Sequence, residues 1–353
     1  MAICINCDGI YFRNFSIKCD ADGLCIDGQF SHQGISQFQN NQGSVSGFTA
    51  GGVAPPVDPD SGVNNIQSFP FTSDAPATDI ADLIQARRGV VGVSSTTHGY
   101  SIGGFTGNAF TNTIDKFNFV NGENATDVGE VVFTQPDGAP RPNYSGGASF
   151  QSATDGIVSN GFSGPGASEF ADTRYSTVYS FPFAADVSTT DTGVDTHQSA
   201  GVSGTSSSTH AYILGGECSN LDTLGKFPFI LNASFSDIAE LDKCRSTTNG
   251  SQSSESGYHT GGTDRGVPTT VDEIIKYPFS SDTTNSLVGS LSTPRNGMSN
   301  QTSTVSGYSS GGCEPTTPAR VDTIEKFPFS SDTNASDVGE LIFAQNGAAG
   351  HHV

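Results

Sequence analysis

Four of the chain's seven cysteines fall in its first 25 residues, as Cys4-x2-Cys7-x11-Cys19-x5-Cys25. Thiolates spaced like Cys4 and Cys7 can share one Zn²⁺, and Cys19 and Cys25 would complete a tetrahedral site. The same four could instead close two disulfides around a small module, or remain isolated thiols. Asp20-Ala-Asp22-Gly23 opens like a calcium loop but lacks the later ligands, and reads as a turn. Apart from that possible zinc, no cofactor is expected.

Acid–base chemistry would have to come from few histidines. His98 and His210 recur in Thr-Thr-His-Gly-Tyr and Ser-Thr-His-Ala-Tyr, which marks them as structural or surface residues. His197 and His259 have no evident partner in the sequence, and His351 and His352 end the chain, where order is often lost. Gly-x-Ser-x-Gly occurs only inside the repeat, at Gly99–Gly103 and Gly307–Gly311, where the recurring residues are charged to the fold, and there is no phosphate-binding Gly-x4-Gly-Lys and no His-Glu-x2-His. A catalytic role is therefore not expected.

The elements that would position these residues repeat. Val321-Asp-Thr-Ile-Glu-Lys-Phe-Pro-Phe-Ser-Ser-Asp, continuing to Asp337-Val-Gly-Glu-Leu341, has cognates throughout the chain. The opening aromatic of each Phe-x-Phe or Tyr-x-Phe falls at Phe69, Phe117, Phe181, Phe227, Tyr277 and Phe327, with spacings of 48, 64, 46, 50 and 50 residues. A period of this length suits the blade of a β-propeller better than a helical hairpin.

Composition agrees. The 353 residues include 43 glycines, no tryptophan and only 14% charged residues, as expected for short strands joined by turns. A formal charge of -21 argues against a grip on nucleic-acid phosphates. No stretch approaches the roughly 18 apolar residues that would span a bilayer, so membrane insertion is not expected, and the first 30 residues do not read as a secretory signal.

Each repeat reads as four strands. The second ends in an aromatic and a glycine pair, as in Gly99-Tyr-Ser-Ile-Gly-Gly104 and Gly307-Tyr-Ser-Ser-Gly-Gly312. Such a pair permits close backbone approach with φ values that other residues avoid. Proline in the third strand removes a ladder donor, so it should sit at a strand end, a bulge or an unpaired position. Ser-Ser-Asp at 280–282 and 330–332, and Thr-Ser-Asp at 72–74, read as turns whose Asp accepts nearby backbone amides. The tail from Ala344 to Val353 matches the start of a repeat, and its simplest use is to join the sheet begun by residues 35–52.

This order, followed through Gly307–Gly347, resembles the kelch motif, with Phe327, Phe329 and Leu341 in the apolar roles and the usual later tryptophan missing. The resemblance covers about residues 32–353. It implies an all-β fold: a six-bladed kelch-like β-propeller over 32–353 closed by the C-terminal strand, with residues 1–31 as a Cys-rich N-terminal arm. Some copper oxidases use a similar propeller, but Cys218 and Cys244 lack the tyrosine and histidines that site requires. The wording Phe-Pro-Phe-Ser-Ser-Asp-Thr also resembles repeat proteins of marine tailed phages. That likeness implies a virion structural or appendage protein, assembled in the host cytoplasm. It would dock through its arm onto other virion proteins or itself, and display a propeller face to a host surface.

A bacterial carbohydrate-binding or adhesion propeller, acting outside the cell or at its surface on glycans, is the alternative. On either reading the contact residues should lie in the loops after the glycine pairs, at Asp58, Asp60, Phe105, Phe162, Glu169 and Glu314.

Overall fold

The computed structural model describes residues 16–20, 23–27, 42–55, 62–134, 140–141, 145–159, 161–163, 173–217, 222–281, 285–315 and 319–353. Two compact units divide after Gln39. In the first, Ser16–Asp20 pairs with Gly23–Asp27 as an antiparallel hairpin, with Cys19 opposite Leu24 and Cys25 opposite Lys18. Cys4 and Cys7 lie outside the described residues.

The second unit is propeller-like and, among the described residues, has no helix. It holds six four-stranded antiparallel sheets. The first strands of sheets 2 to 6 are Val91–Ser94, Ala148–Gln151, Ser203–Ser206, Asn249–Gln252 and Ser299–Thr302. Sheet 1 takes its first strand from the other end of the chain. Ala349–His352 pairs antiparallel with Ser46–Ala50, which continues into Val63–Pro70 and Thr78–Arg87.

These first strands crowd against one another. A Cβ added at Gly92, Gly204, Gly250 or Gly350 would collide with the carbonyl of Gly350, Ser149, Gly204 or Asn300 on the neighbouring first strand. The two remaining contacts are hydroxyl bonds, from Ser149 Oγ to the Gly92 carbonyl (2.8 Å) and from Ser251 Oγ to the Gln301 carbonyl (3.4 Å). Followed from strand to strand, the contacts return to their start, so the first strands form an inner ring.

The sheets bury their aromatics against each other. The second aromatic of Phe-x-Phe stacks on the second-strand tyrosine of the preceding sheet: Phe183 on Tyr100 (5.1 Å), Phe279 on Tyr212 (4.7 Å), Phe329 on Tyr258 (4.8 Å) and Phe71 on Tyr308 (4.7 Å). Phe119 meets Phe48 in the same way at 4.7 Å. Each such pair adds about 0.5–1.5 kcal/mol beyond its area burial. The proline between the aromatics is the last residue of its strand, at Pro70, Pro182, Pro228, Pro278 and Pro328, where a missing donor costs little. Between third and fourth strands the register slips by one residue after Ile66, Ile114, Leu224, Ile274 and Ile324. These bulges let Ile80, Val128, Ile238, Val288 and Val338 pack against the buried clusters.

Charge is organised by the same repeat. Arg87, Arg245 and Arg295 are each 1% exposed and pair with Asp115 (3.0 Å), Glu273 and Glu325, all three acids lying on third strands. Arg87, at the end of the fourth strand of sheet 1, thereby ties that sheet to sheet 2. Desolvation of Asp115 pushes its carboxyl up, and the guanidinium beside it works against that rise. In sheet 1, Gln345 and Gln67 replace the pair with a neutral bond of 3.3 Å. The aspartates of the Ser-Asp turns act differently from expectation: Asp74 and Asp332 accept Lys326 (2.6 Å) and Lys276 (3.1 Å) of the preceding sheet. Their carboxylates tie sheets together because the lysine on the adjoining third strand ends within reach.

Candidate binding site: the axial pocket and its rim

Each first strand is entered through one residue with left-handed backbone: Gly89 (φ 64), Gly146 (66), Gly201 (64), Thr247 (51), Gly297 (63) and Gly347 (66). Their amides and carbonyls form a cycle. Gly146 donates to Gly89 (3.4 Å), Gly89 to Gly347 (2.8 Å), Gly347 to Gly297 (2.8 Å), Gly297 to Thr247 (3.3 Å), Thr247 to Gly201 (2.7 Å) and Gly201 to Gly146 (2.8 Å). The outcome is a girdle of backbone hydrogen bonds at one end of the inner ring.

Five of these six positions are glycine because L-residues pay about 1–2 kcal/mol for left-handed backbone. Thr247 is the exception, and its Oγ1 donates to the Ser246 carbonyl at 2.8 Å. Thr247→Gly is expected to raise stability by about 1 kcal/mol, since relief of a β-branched residue there exceeds the loss of that bond and of a long contact with Thr263 Oγ1 (3.5 Å). Thermal unfolding checks it: a higher midpoint is expected, and an unchanged or lower one would mean the hydroxyl bond dominates.

The glycine pairs have both expected properties. Gly51 and Gly52, Gly103 and Gly104, Gly215 and Gly216, Gly261 and Gly262, and Gly311 and Gly312 all have positive φ. A Cβ on Gly51 would come within 2.8 Å of the Arg87 carbonyl oxygen, and one on Gly104 within 2.7 Å of that of Arg88. The loops that follow therefore start beside the girdle.

Inside the girdle lies a cavity of about 190 Å³. Ser149, Gln151, Ser203, Thr205, Asn249, Gln252, Asn300 and Thr302 give it hydroxyls and amides, backbone glycines line much of the rest, and His352 is its one titratable side chain. Asn249 Nδ2, Thr248 Oγ1 and Thr302 Oγ1 are buried there without a hydrogen-bond partner. Such a lining can exchange hydrogen bonds with water or a neutral polar ligand and offers no fixed charge.

One wall carries a buried polar chain. Ser203 Oγ meets His259 Nδ1 at 2.8 Å, His259 Nε2 meets the Tyr277 hydroxyl at 3.2 Å, and that hydroxyl meets Thr205 Oγ1. Burial, with the positive Arg245 nearby, takes the His259 pKa down to about 3, and burial pushes the Tyr277 phenol up. The imidazole stays neutral and is too weak a base to activate Ser203, so the chain acts as a packing network. His351, expected in a frayed tail, is 0% exposed. It bonds Ser101 Oγ (3.0 Å) and the Val93 carbonyl (3.1 Å), with Phe117 edge-on at 5.1 Å.

The expected contact residues separate. Asp58, Asp60 and Glu169 lie outside the described residues. Phe105 is 3% exposed, packed on Phe110 (5.0 Å) with the Arg88 guanidinium over its ring (5.1 Å), so it anchors its loop instead of facing outward. Phe162 sits in the two-residue strand Phe162–Ser163, opposite Arg174. Glu314 is half-buried, its amide bonded to the Ala319 carbonyl at 3.1 Å. Around the mouth the described polar groups are those the loops fold in. Arg320 Nε donates to Asn346 Oδ1 (2.8 Å), Asn296 Nδ2 to Thr263 Oγ1 (3.0 Å), and Arg265 pairs with Glu217 (3.1 Å). Asn296-Gly297 and Asn346-Gly347 are the same dipeptide, and the fold sets both glycines in the girdle.

No family model matches the chain, and no curated protein sequence matches it.

Proposed function

We propose that the chain is a six-bladed, kelch-like β-propeller with a Cys-rich N-terminal arm, and that it works without catalysis as a virion structural or appendage protein. The arm docks it onto other virion proteins or onto itself, and the loop-bearing end of the propeller is displayed toward a host surface. The observation that carries this reading is the common origin of the loops beside the backbone girdle, around a pocket without fixed charge. That arrangement supplies a rigid scaffold with one variable end, which is what recognition needs. Assembly would take place in the host cytoplasm. Zinc or disulfides at Cys4, Cys7, Cys19 and Cys25 would fix the arm.

A second reading, a carbohydrate-binding or adhesion propeller of a bacterium, draws support from the hydroxyls and amides that line the axial pocket. Native mass by light scattering, with and without residues 1–31, under reducing and non-reducing conditions, separates the two. Oligomers that disappear with the arm support docking. A monomer in every condition overturns it, and glycan binding by that monomer would establish the second reading.

A further inference from the structure

The sheets are alike at most of their interfaces; the one between sheets 1 and 2 lacks the lysine and the aspartate, at Ser68 and Gly122, but keeps a second-strand ring in Phe48, and the one between sheets 3 and 4 loses the ring as well. At the second-strand position of Phe48, Tyr100, Tyr212, Tyr258 and Tyr308, sheet 3 carries Ile157. At the lysine position of Lys116, Lys276 and Lys326, sheet 3 has Ser180. Sheet 4 has Asn232 where Asp74, Asp186 and Asp332 accept those lysines, and Ile230-Leu231 where other copies have Ser-Ser, Thr-Ser, Ala-Ala or, in sheet 2, Val-Asn followed by Gly122.

Phe227 finds a ring elsewhere, on the first-strand Phe150 at 5.5 Å. Phe229 stands where its cognates stack on a tyrosine. The result is a cavity of about 270 Å³ between sheets 3 and 4, lined by Ile157, Val178, Phe229, Ile230 and Leu231, with Ser152 at its polar edge beside Asp155, whose carboxylate accepts the Ser152 hydroxyl at 3.3 Å. Ile230 and Leu231 are 65% and 69% exposed, so it opens to solvent beside them.

The intact interfaces say what shape is missing. There the tyrosine ring lies flat on the second phenylalanine, and its hydroxyl interacts with a serine of the preceding turn (Tyr100 with Ser95, Tyr258 with Ser253, Tyr308 with Ser303), while Tyr100 Oη donates to the Phe183 carbonyl at 3.4 Å. Ser152 is the cognate of those serines, and its Oγ accepts the Thr154 and Asp155 amides (3.2 and 2.9 Å) as Ser95 Oγ accepts those of Thr97 and His98 (3.3 and 3.0 Å). The stacking surface and the hydroxyl partner are thus both present without the phenol that joins them elsewhere.

We propose that the sheet 3–sheet 4 cavity is a binding site for a phenolic ring, with Phe229 as the stacking face and Ser152 as the partner of the phenol hydroxyl. A cavity of about 150 Å³ suffices for benzene, so the ring fits with room for a substituent leading past Ile230 and Leu231. The ring can come from a tyrosyl side chain of a partner or from a free phenol. This assignment stands apart from the virion reading and survives its failure.

The test uses the full chain and p-cresol, followed by NMR titration and a crystal structure of the soak. Saturable binding at one site is expected, about fivefold tighter for p-cresol than for toluene, the difference one hydrogen bond makes. Ser152→Ala should erase that preference while leaving toluene binding unchanged. Ile157→Tyr should fill the site from within, raise the melting temperature and abolish binding. A tyrosine-containing peptide competing better than p-cresol would identify a protein partner as the source, and equal or weaker competition a free phenol. No binding of p-cresol at millimolar concentration, or binding that Ile157→Tyr leaves intact, would overturn the proposal.

Discussion

Removing residues 349–353 should cost the repeat domain on the order of 5 kcal/mol, a large share of the 5–15 kcal/mol that holds a typical domain. Ala349–His352 supplies the first strand of a sheet whose other three strands come from residues 46–87. Its loss frees the edge at Gly47–Ala50 and removes the fully buried His351 from against Phe117. It also deletes Gly350, which abuts the Asn300 backbone of sheet 6. The truncated chain should melt more than about 10 °C lower or fail to accumulate as folded protein. A synthetic peptide of residues 344–353 should bind it and restore part of the midpoint. An unchanged melting curve would show that closure by this strand contributes nothing.

The second large effect is loss of stability in acid. His259 and His351 are held neutral, each with its pKa taken down to about 3 by burial. Unfolded imidazoles protonate near 6.5. Between these values the unfolded chain binds more protons than the folded one, so stability present above pH 6.5 is lost as the pH falls toward 3. The slope is about 1.4 kcal/mol per pH unit for each histidine. From pH 7 to pH 5 the pair should cost roughly 4 kcal/mol. Burial lowers His98 and His197 as well, which acts in the same direction. Guanidinium unfolding at the two pH values measures the loss. Equal stabilities would contradict the assignment of both imidazoles as buried and neutral.

Much of the architecture was legible in the sequence because its causes are local and repeated. Glycine pairs, a proline at the close of five of the six third strands and a tail matching the start of a repeat each state a backbone requirement that one residue type satisfies. The features that escaped depend on partners far away in the chain. His351 reads as a terminal residue until Ser101, 250 positions distant, is brought beside it. Asp74 reads as a turn residue until Lys326 arrives from the other end of the ring. The 64-residue gap before Phe181 obscured the alignment of the third repeat, and with it Ile157, whose significance lies in a ring that is not there. An aromatic in a surface loop serves equally well as a contact or as the anchor that Phe110 and Arg88 make of Phe105, and its sequence does not distinguish the two.

Amide hydrogen exchange on the assembled full-length protein, compared with the chain lacking residues 1–31, tests the central claim most directly. Docking through the arm with display of the propeller end predicts that added protection is confined to residues 1–39. Amides in 105–112 and 313–320 should exchange alike in the two samples. Protection of those loops in the assembly would contradict the claim, because the surface assigned to recognition would then be buried in the particle.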